Sequence, residues 1–286
     1  MTAEAPAPQG GVRHRCAVLG SPVAHSLSPV LHAAAYAELG LTGWSYGRAE
    51  VREDGLAGFV DGLDASWRGL SLTMPLKVAV LRLPHVGLVS ETARVTGVAN
   101  TLLLDGPGRE VHNTDVDGLV AAVRRVLPGP VSTVTVVGSG ATARSGVVAA
   151  ARLGATRVQV QARDPQKAAA LASLADAVGV ALAVVPWGAV PPAADLLVST
   201  VTAGAADDRA RVLAASAGAV FDVVYDPWPT PLAAAAARTG VRVLDGLDLL
   251  VAQAVLQVEL MTGRRPSPEV LRAAGDDALA AAHAHG

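Results

Sequence analysis

The chain has 286 residues, 51% of them hydrophobic and 17% charged, which is enough apolar material for two cores and shows no disorder signature away from the ends. Lys+Arg 23 against Asp+Glu 25 leaves a net charge of −2, and aromatics are only 3%; neither favours nucleic acid or an anionic membrane as partner. Cys16 is alone and the histidines show no ligand spacing, so a disulfide framework is excluded and no metal is expected.

Residues 1–11, with Pro6, Pro8 and Gly10 but no apolar core, read as a flexible tail rather than a signal peptide. Cys16 to Gly20 is a first strand, with Cys16 as core. It leads into Gly20-Ser-Pro-Val-Ala-His-Ser-Leu-Ser-Pro29, where Pro29 suits the first position of a helix reaching Gly40 and Ser28 suits its N-cap. Ser26 and Ser28 stand two apart, so in extended backbone their hydroxyls share a side. One capping and one solvated serine explain them locally as well as a pair of donors to a substrate carboxylate does. Trp44 to Val51 is a strand, Asp54 to Leu63 a helix and Leu70 to Thr73 a strand. Pro75 then starts a helix that puts Lys77 in the first turn, at the dipole end unfavourable to a cation. Such a violation of a local rule marks either a functional residue or a solvated surface lysine.

Glu91 to Val95 is a short helix, and the run from Gly97 through Asn100 becomes a strand. Asn113-Thr114-Asp115 opens a helix to Leu127, in which Asp115 could serve simply as a cap or first-turn carboxylate. From Val131 strands and helices alternate: strands over 131–137, 157–162, 181–185, 195–200, 219–225 and 241–244, and helices over 141–153, 164–178 and near 230–239. Long helices over 246–262 and 267–282 close the chain. Between strand 131–137 and its helix lies Gly138-Ser139-Gly140-Ala141-Thr142-Ala143, a G-x-G-x-x-A turn. Gly138 can make the tight turn, Gly140 has no Cβ to block a pyrophosphate, and Ala143 lets helix and strand pack closely. The uncharged stretch from Ala177 to Ala194 contains Pro186, Pro191 and Pro192, which disqualify it as a membrane span, so a soluble cytoplasmic protein is expected.

At the end of strand 157–162, where NAD-binding domains carry an acid for the ribose 2′-hydroxyl, stand Gln161 and Ala162. Arg163 follows at once and Lys167 comes one helical turn later, so two cations could flank a 2′-phosphate. A solvated Arg163 paired with Asp164 is the plainer reading, and a carboxylate at Asp164 could blunt the preference for NADP.

In this order the motifs resemble the shikimate dehydrogenase family, from about Val18 to Gly263. The resemblance implies an α/β chain of two domains. Residues 12–114, completed by helices over 246–286, would form the substrate domain, and residues 115–245 a Rossmann-type doubly wound NADP-binding domain. It implies Ser26 and Ser28 as ligands of a substrate carboxylate, Lys77 and Asp115 as the catalytic acid–base pair, and Thr73, Asn100, Asp115, Tyr225 and Gln253 around the substrate. Gly138, Ser139, Gly140, Ala141, Thr142, Ala143, Arg163, Lys167, Thr200, Val201 and Gly246 would line the cofactor. The implied activity is reversible, NADPH-dependent reduction of 3-dehydroshikimate to shikimate in the chorismate and aromatic amino-acid route, by a monomer or homodimer. Two residues depart from the pattern: Ser71, where many members carry asparagine, and Val201, which is apolar in a polar loop. A quinate/shikimate dehydrogenase using NAD, a methylene-tetrahydrofolate dehydrogenase and a catalytically silent nucleotide-binding paralogue share the architecture. The paired serines and Asn113-Thr114-Asp115 argue against the second, and Lys77 with Asp115 against the third.

Overall fold

A computed structural model describes residues 11–106 and 108–284. The tail read over 1–11 lies, Gly11 apart, outside the described residues. The chain divides into two compact units: one runs to Thr114 and resumes at Gln253, and the other is Asp115–Ala252.

In the first unit come β1 (His14–Gly20), α1 (Ser28–Glu38), β2 (Trp44–Glu50), α2 (Leu56–Asp61), β3 (Trp67–Leu72), α3 (Leu76–Ala79), β4 (Val86–Val89), α4 (Glu91–Thr96), β5 (Thr101–Leu103) and β6 (Arg109–His112). They form one sheet in the order β2-β1-β3-β5-β6-β4. β1 runs parallel to β2 and β3, whereas β5 is antiparallel to both of its neighbours. Alternation along the strands gives the sheet two apolar faces. Ala17, Leu19, Leu70, Leu72 and Leu102 pack in one cluster with Leu56 and Leu76, while Cys16 and Leu103 pack with Met261. Cys16 is thus core, its thiol pushed up to about 12 by burial.

The second unit holds α5 (Asp115–Val126), β7 (Thr133–Val137), α6 (Ala141–Leu153), β8 (Arg157–Gln161), α7 (Pro165–Ala169), α8 (Ala172–Ala177), β9 (Ala181–Val185), β10 (Leu196–Ser199), α9 (Ala210–Ala215), β11 (Ala219–Asp222), α10 (Pro231–Arg238) and β12 (Arg242–Leu244). Its sheet has the order β12-β11-β10-β7-β8-β9 with every pairing parallel. Counted from β7, that is the doubly wound order 3-2-1-4-5-6, whose direction reverses between β7 and β10. α11 (Gly246–Thr262) carries the boundary between units, and α12 (Pro268–Ala284) packs on α1.

Several expectations need correction. The helix read over 54–63 is a 3₁₀ turn at Glu53–Gly55 followed by α2, and that over 164–178 breaks into α7 and α8. At the break Leu171 N–H bonds Ala168 O, three residues back instead of four. The strand read over 219–225 stops at Asp222, whose carboxylate accepts Val224 N–H and the Thr230 hydroxyl and turns the chain out of the sheet. β4, β6 and α9 went unread. β4 is an edge strand with Leu88 and Val89 exposed, so it has no apolar run to reveal it.

Candidate active site

In the second unit the dinucleotide turn sits at the reversal of strand order. Gly138 leaves β7 with φ +116, and a Cβ there would lie 2.4 Å from Thr200 Oγ1 at the end of β10, so only glycine fits. Thr200 in turn donates its hydroxyl to Val137 O at 2.8 Å and stays half-buried beside half-buried Val201. Gly140 is the exposed N-cap of α6 with nothing within 4 Å of a Cβ, which leaves the helix N–H groups open to an anion. Ser139, Ala141 and Thr142 are half-buried around it, and Ala143 is fully buried against the strand side. These features fit a dinucleotide pyrophosphate.

At the end of β8 Gln161 is buried, its amide donating to Pro186 O and Ala189 O at 2.8 and 2.9 Å, so a structural amide occupies the place of a ribose-binding acid. Asp164 caps α7, with Oδ1 accepting Gln166 N–H and Lys167 N–H at 3.0 and 3.1 Å. Its other oxygen lies 4.0 Å from Lys167 Nζ. The awkward carboxylate is therefore turned into the helix start, and Arg163 stays exposed. Gly246, expected at the cofactor, has a more immediate reason to be glycine: a Cβ would lie 2.1 Å from Val223 O. Tyr225 is half-buried in the loop after β11.

In the first unit Ser28 is not the N-cap. It is the first helical residue, Leu27 holds the cap position without a side-chain bond, and Ser28 N–H donates to Ser26 Oγ at 3.3 Å. Leu27 is itself in helical backbone, so the same-side argument from extended chain does not apply. Ser28 is buried, Ser26 half-buried. α3 has four residues before it tightens into the 3₁₀ turn Val80–Arg82, too short for the dipole argument made for Lys77. What places Lys77 is the backbone: Ala99 N–H bonds Lys77 O at 2.8 Å, and Leu72 N–H bonds Asn100 O at 2.8 Å. Thr73 is gripped by Leu19 O and stands where a Cβ on Gly20 would collide with its Cγ2 at 2.3 Å.

Asn100 is the hub. Its Oδ1 accepts Thr114 N–H at 2.8 Å and the Thr101 hydroxyl at 3.0 Å, and its Nδ2 donates to Thr114 Oγ1 at 2.9 Å and Gln253 Oε1 at 3.2 Å. Asn113 Nδ2 donates to Thr96 Oγ1 and Val98 O and so braces the loop that delivers Thr114. Asp115, buried, follows as the first residue of α5. The first unit thus gathers Thr73, Lys77, Asn100 and Gln253 around one loop system.

Sequence reading missed the polar residues behind Asn100. Gln257, one helical turn past Gln253, donates to Asn100 O at 3.1 Å and Thr101 Oγ1 at 3.0 Å and accepts the Ser71 hydroxyl at 2.8 Å. Ser71 accepts the Tyr46 hydroxyl at 2.6 Å, and the Tyr46 ring stacks on His32 with centroids 3.8 Å apart. Burial pushes the Tyr46 phenol above its usual range, with the Ser71 and Ser28 hydroxyls acting weakly against it. His32 is fully buried, and burial lowers its pKa to about 3, opposed by the Gln257 side chain alongside. Neither ring nitrogen has a partner at hydrogen-bonding geometry among the described residues. The i, i+4 spacing of Gln253 and Gln257 was the available signal.

The class these features define is a two-unit α/β oxidoreductase of the dinucleotide-binding kind. Family models for the shikimate dehydrogenase substrate binding domain and the shikimate 5'-dehydrogenase C-terminal domain match residues 18–102 and 246–274. An NADP(+) shikimate dehydrogenase of Methylobacterium radiotolerans is 38% identical over 90% of this chain and 94% of its own. Shikimate dehydrogenase of Mycobacterium tuberculosis superposes with TM-score 0.85 at 42% identity, covering 91% of this chain and 98% of that one. Shikimate 5-dehydrogenase of Thermus thermophilus, solved with NADP(H) and shikimate, gives 0.81 at 33% identity over 93% and 99%. The chain belongs to the shikimate dehydrogenase family. Among the described residues no group of His, Cys, Asp and Glu could hold a metal, and no helix is long and apolar enough to cross a membrane.

Proposed function

We propose that this chain catalyses the reversible, NADP-dependent interconversion of 3-dehydroshikimate and shikimate. The first unit would hold the substrate and the second the cofactor. The observation that carries the reading is Asn100, locked between Thr114 and Gln253 on the loop that also ties down Lys77, a buried arrangement suited to a small ring bearing several hydroxyls. When bound, the nicotinamide supplies or takes up the hydride at the substrate's carbon 3. The remaining work belongs to the protein. Lys77 gives a proton to the oxygen on that carbon during reduction and removes it during oxidation. Asp115 orients the lysine and the ring hydroxyls, as Asn100, Thr73, Tyr225 and Gln253 hold the ring. Ser26 and Ser28 take the carboxylate.

Gly138, Ser139, Gly140, Ala141, Thr142 and Ala143 would hold the pyrophosphate, Thr200, Val201 and Gly246 the nicotinamide side, and Arg163 with Lys167 the 2′-phosphate. The enzyme would work in the cytoplasm, as a monomer or homodimer. The test is steady-state oxidation of shikimate with NADP, followed as NADPH absorbance. Turnover of shikimate at least tenfold more efficient than of quinate is expected, and absence of shikimate turnover refutes the reading.

A further inference from the structure

Two backbone groups on either side of Asn100 have only one possible hydrogen-bonding role, and they fix the direction of every bond behind the proposed substrate site. Thr114 N–H can only donate, so the Asn100 atom facing it at 2.8 Å is Oδ1, and Nδ2 is turned toward Gln253. Asn100 C=O can only accept, so the Gln257 atom facing it at 3.1 Å is Nε2, and Oε1 is turned toward Ser71. Ser71 must therefore donate to Gln257 and accept from Tyr46, whose phenol is left as the donor at the head of the line. On the other side Gln257 Nε2 donates to Thr101 Oγ1, which then donates to Asn100 Oδ1. The bonds run one way: Tyr46, Ser71, Gln257, Thr101, Asn100. Ser71, Thr101, Asn100 and Gln257 are all at most 4% exposed, so a broken bond leaves a buried polar atom without water to replace its partner.

We infer that Gln257 is a positioning residue that, through a one-way line of hydrogen bonds from Tyr46 and Ser71, holds the Asn100 amide with its nitrogen toward the substrate-binding side. Without Gln257, Thr101 loses the donor that commits its own proton to Asn100, and the amide can rotate so that its oxygen, an acceptor, faces where ring hydroxyls would be met. The line also accounts for Ser71. Its single hydroxyl is used in both directions within the protein, so it serves the relay rather than a ligand. The inference rests on the proposed shikimate reading, in which Asn100 touches the substrate.

The experiment compares the parent with Gln257→Met, Tyr46→Phe and Asn100→Ala, measuring KM for shikimate, KM for NADP and the thermal midpoint of each. Gln257→Met keeps the volume and removes the relay, and it should raise KM for shikimate about fivefold to tenfold, the loss expected of one buried hydrogen bond, with KM for NADP within twofold. Tyr46→Phe keeps the ring on His32 and removes only the first donor. It should raise KM for shikimate by about threefold, and the double variant should be no worse than Gln257→Met alone. If Gln257→Met does not fold, Tyr46→Phe decides by the same split between the two KM values. Unchanged KM for shikimate in these variants, with Asn100→Ala impaired, overturns the inference and leaves the shikimate reading standing. Equal rises for shikimate and NADP, or additive single effects, overturn it as well. A folded parent inert toward shikimate overturns both.

Discussion

At Lys77 the chemistry depends on one ammonium group whose position is set by its neighbours' backbone rather than by a helix. General acid–base catalysis contributes typically 10²–10⁴-fold. Lys77→Ala should therefore lower kcat for shikimate oxidation by about that factor, with KM for NADP within twofold, as read by steady-state kinetics. Turnover within about threefold of the parent would remove Lys77 from the role. His32 makes a second prediction, about stability. Its folded pKa is about 3 against 6.5 for the free group, because burial disfavours the charged ring. Below about pH 6.5 the unfolded chain binds a proton there that the folded chain refuses. Stability from this group is thus intact above that pH and is lost as pH falls toward 3. At about pH 5 the loss is roughly 2 kcal/mol. Urea unfolding of the parent at about pH 7 and pH 5 should show this drop, and His32→Gln, less stable at both, should show a smaller one. Equal pH slopes for the two proteins would contradict the assignment.

At the scale of elements, the cofactor's identity turns on the few residues where β8 passes into α7. Gln161 is spent on two carbonyls and Asp164 on two helix N–H groups, so neither is set to grip a ribose hydroxyl or to repel a phosphate. Arg163 is exposed beside them. NADP should be preferred over NAD by at least about tenfold in kcat/KM, roughly 1.4 kcal/mol. Arg163→Ala should abolish most of that margin by raising KM for NADP alone, and equal efficiency of the two cofactors in the parent would refute it. The strands and helices of this unit were legible because a parallel sheet buries both faces and leaves continuous β-branched runs such as Thr133–Val137. The first unit was harder to read. β4 lies at an edge and shows no run, and Ser28 resembled a cap because cap propensity says nothing of a hydroxyl buried beside a tyrosine. Asn100 and Gln253 were recognisable by motif. Their support by Gln257, Ser71 and Tyr46 was not, since those residues stand up to 211 positions apart and meet only in the folded sheet.

At the scale of the whole molecule, the first unit is assembled from two stretches of chain separated by the second. Its sheet needs the returning stretch. Met261 packs with Cys16 and Leu103 and lies 2.8 Å from where a Cβ on Gly69 would be, so the face it covers is shaped to receive it. Leu271 is fully buried, α12 packs on α1, and Ser267 N–H bonds the Glu38 carboxylate at 3.0 Å. A chain ending at Thr114 would leave that face and the Ser71 hydroxyl in water, and it should unfold without a cooperative transition. The ends of the intervening unit, however, are close together, because Asn100 Nδ2 reaches Thr114 Oγ1 at 2.9 Å and Gln253 Oε1 at 3.2 Å. Replacing residues 115–252 by a flexible Gly/Ser linker of about six residues should therefore restore a single cooperative thermal transition, at little entropic cost for so short a closure. Calorimetry of the two shortened chains makes the comparison. A cooperative transition in the chain ending at Thr114, or none in the linked one, would show that the first unit does not fold as the structure divides it.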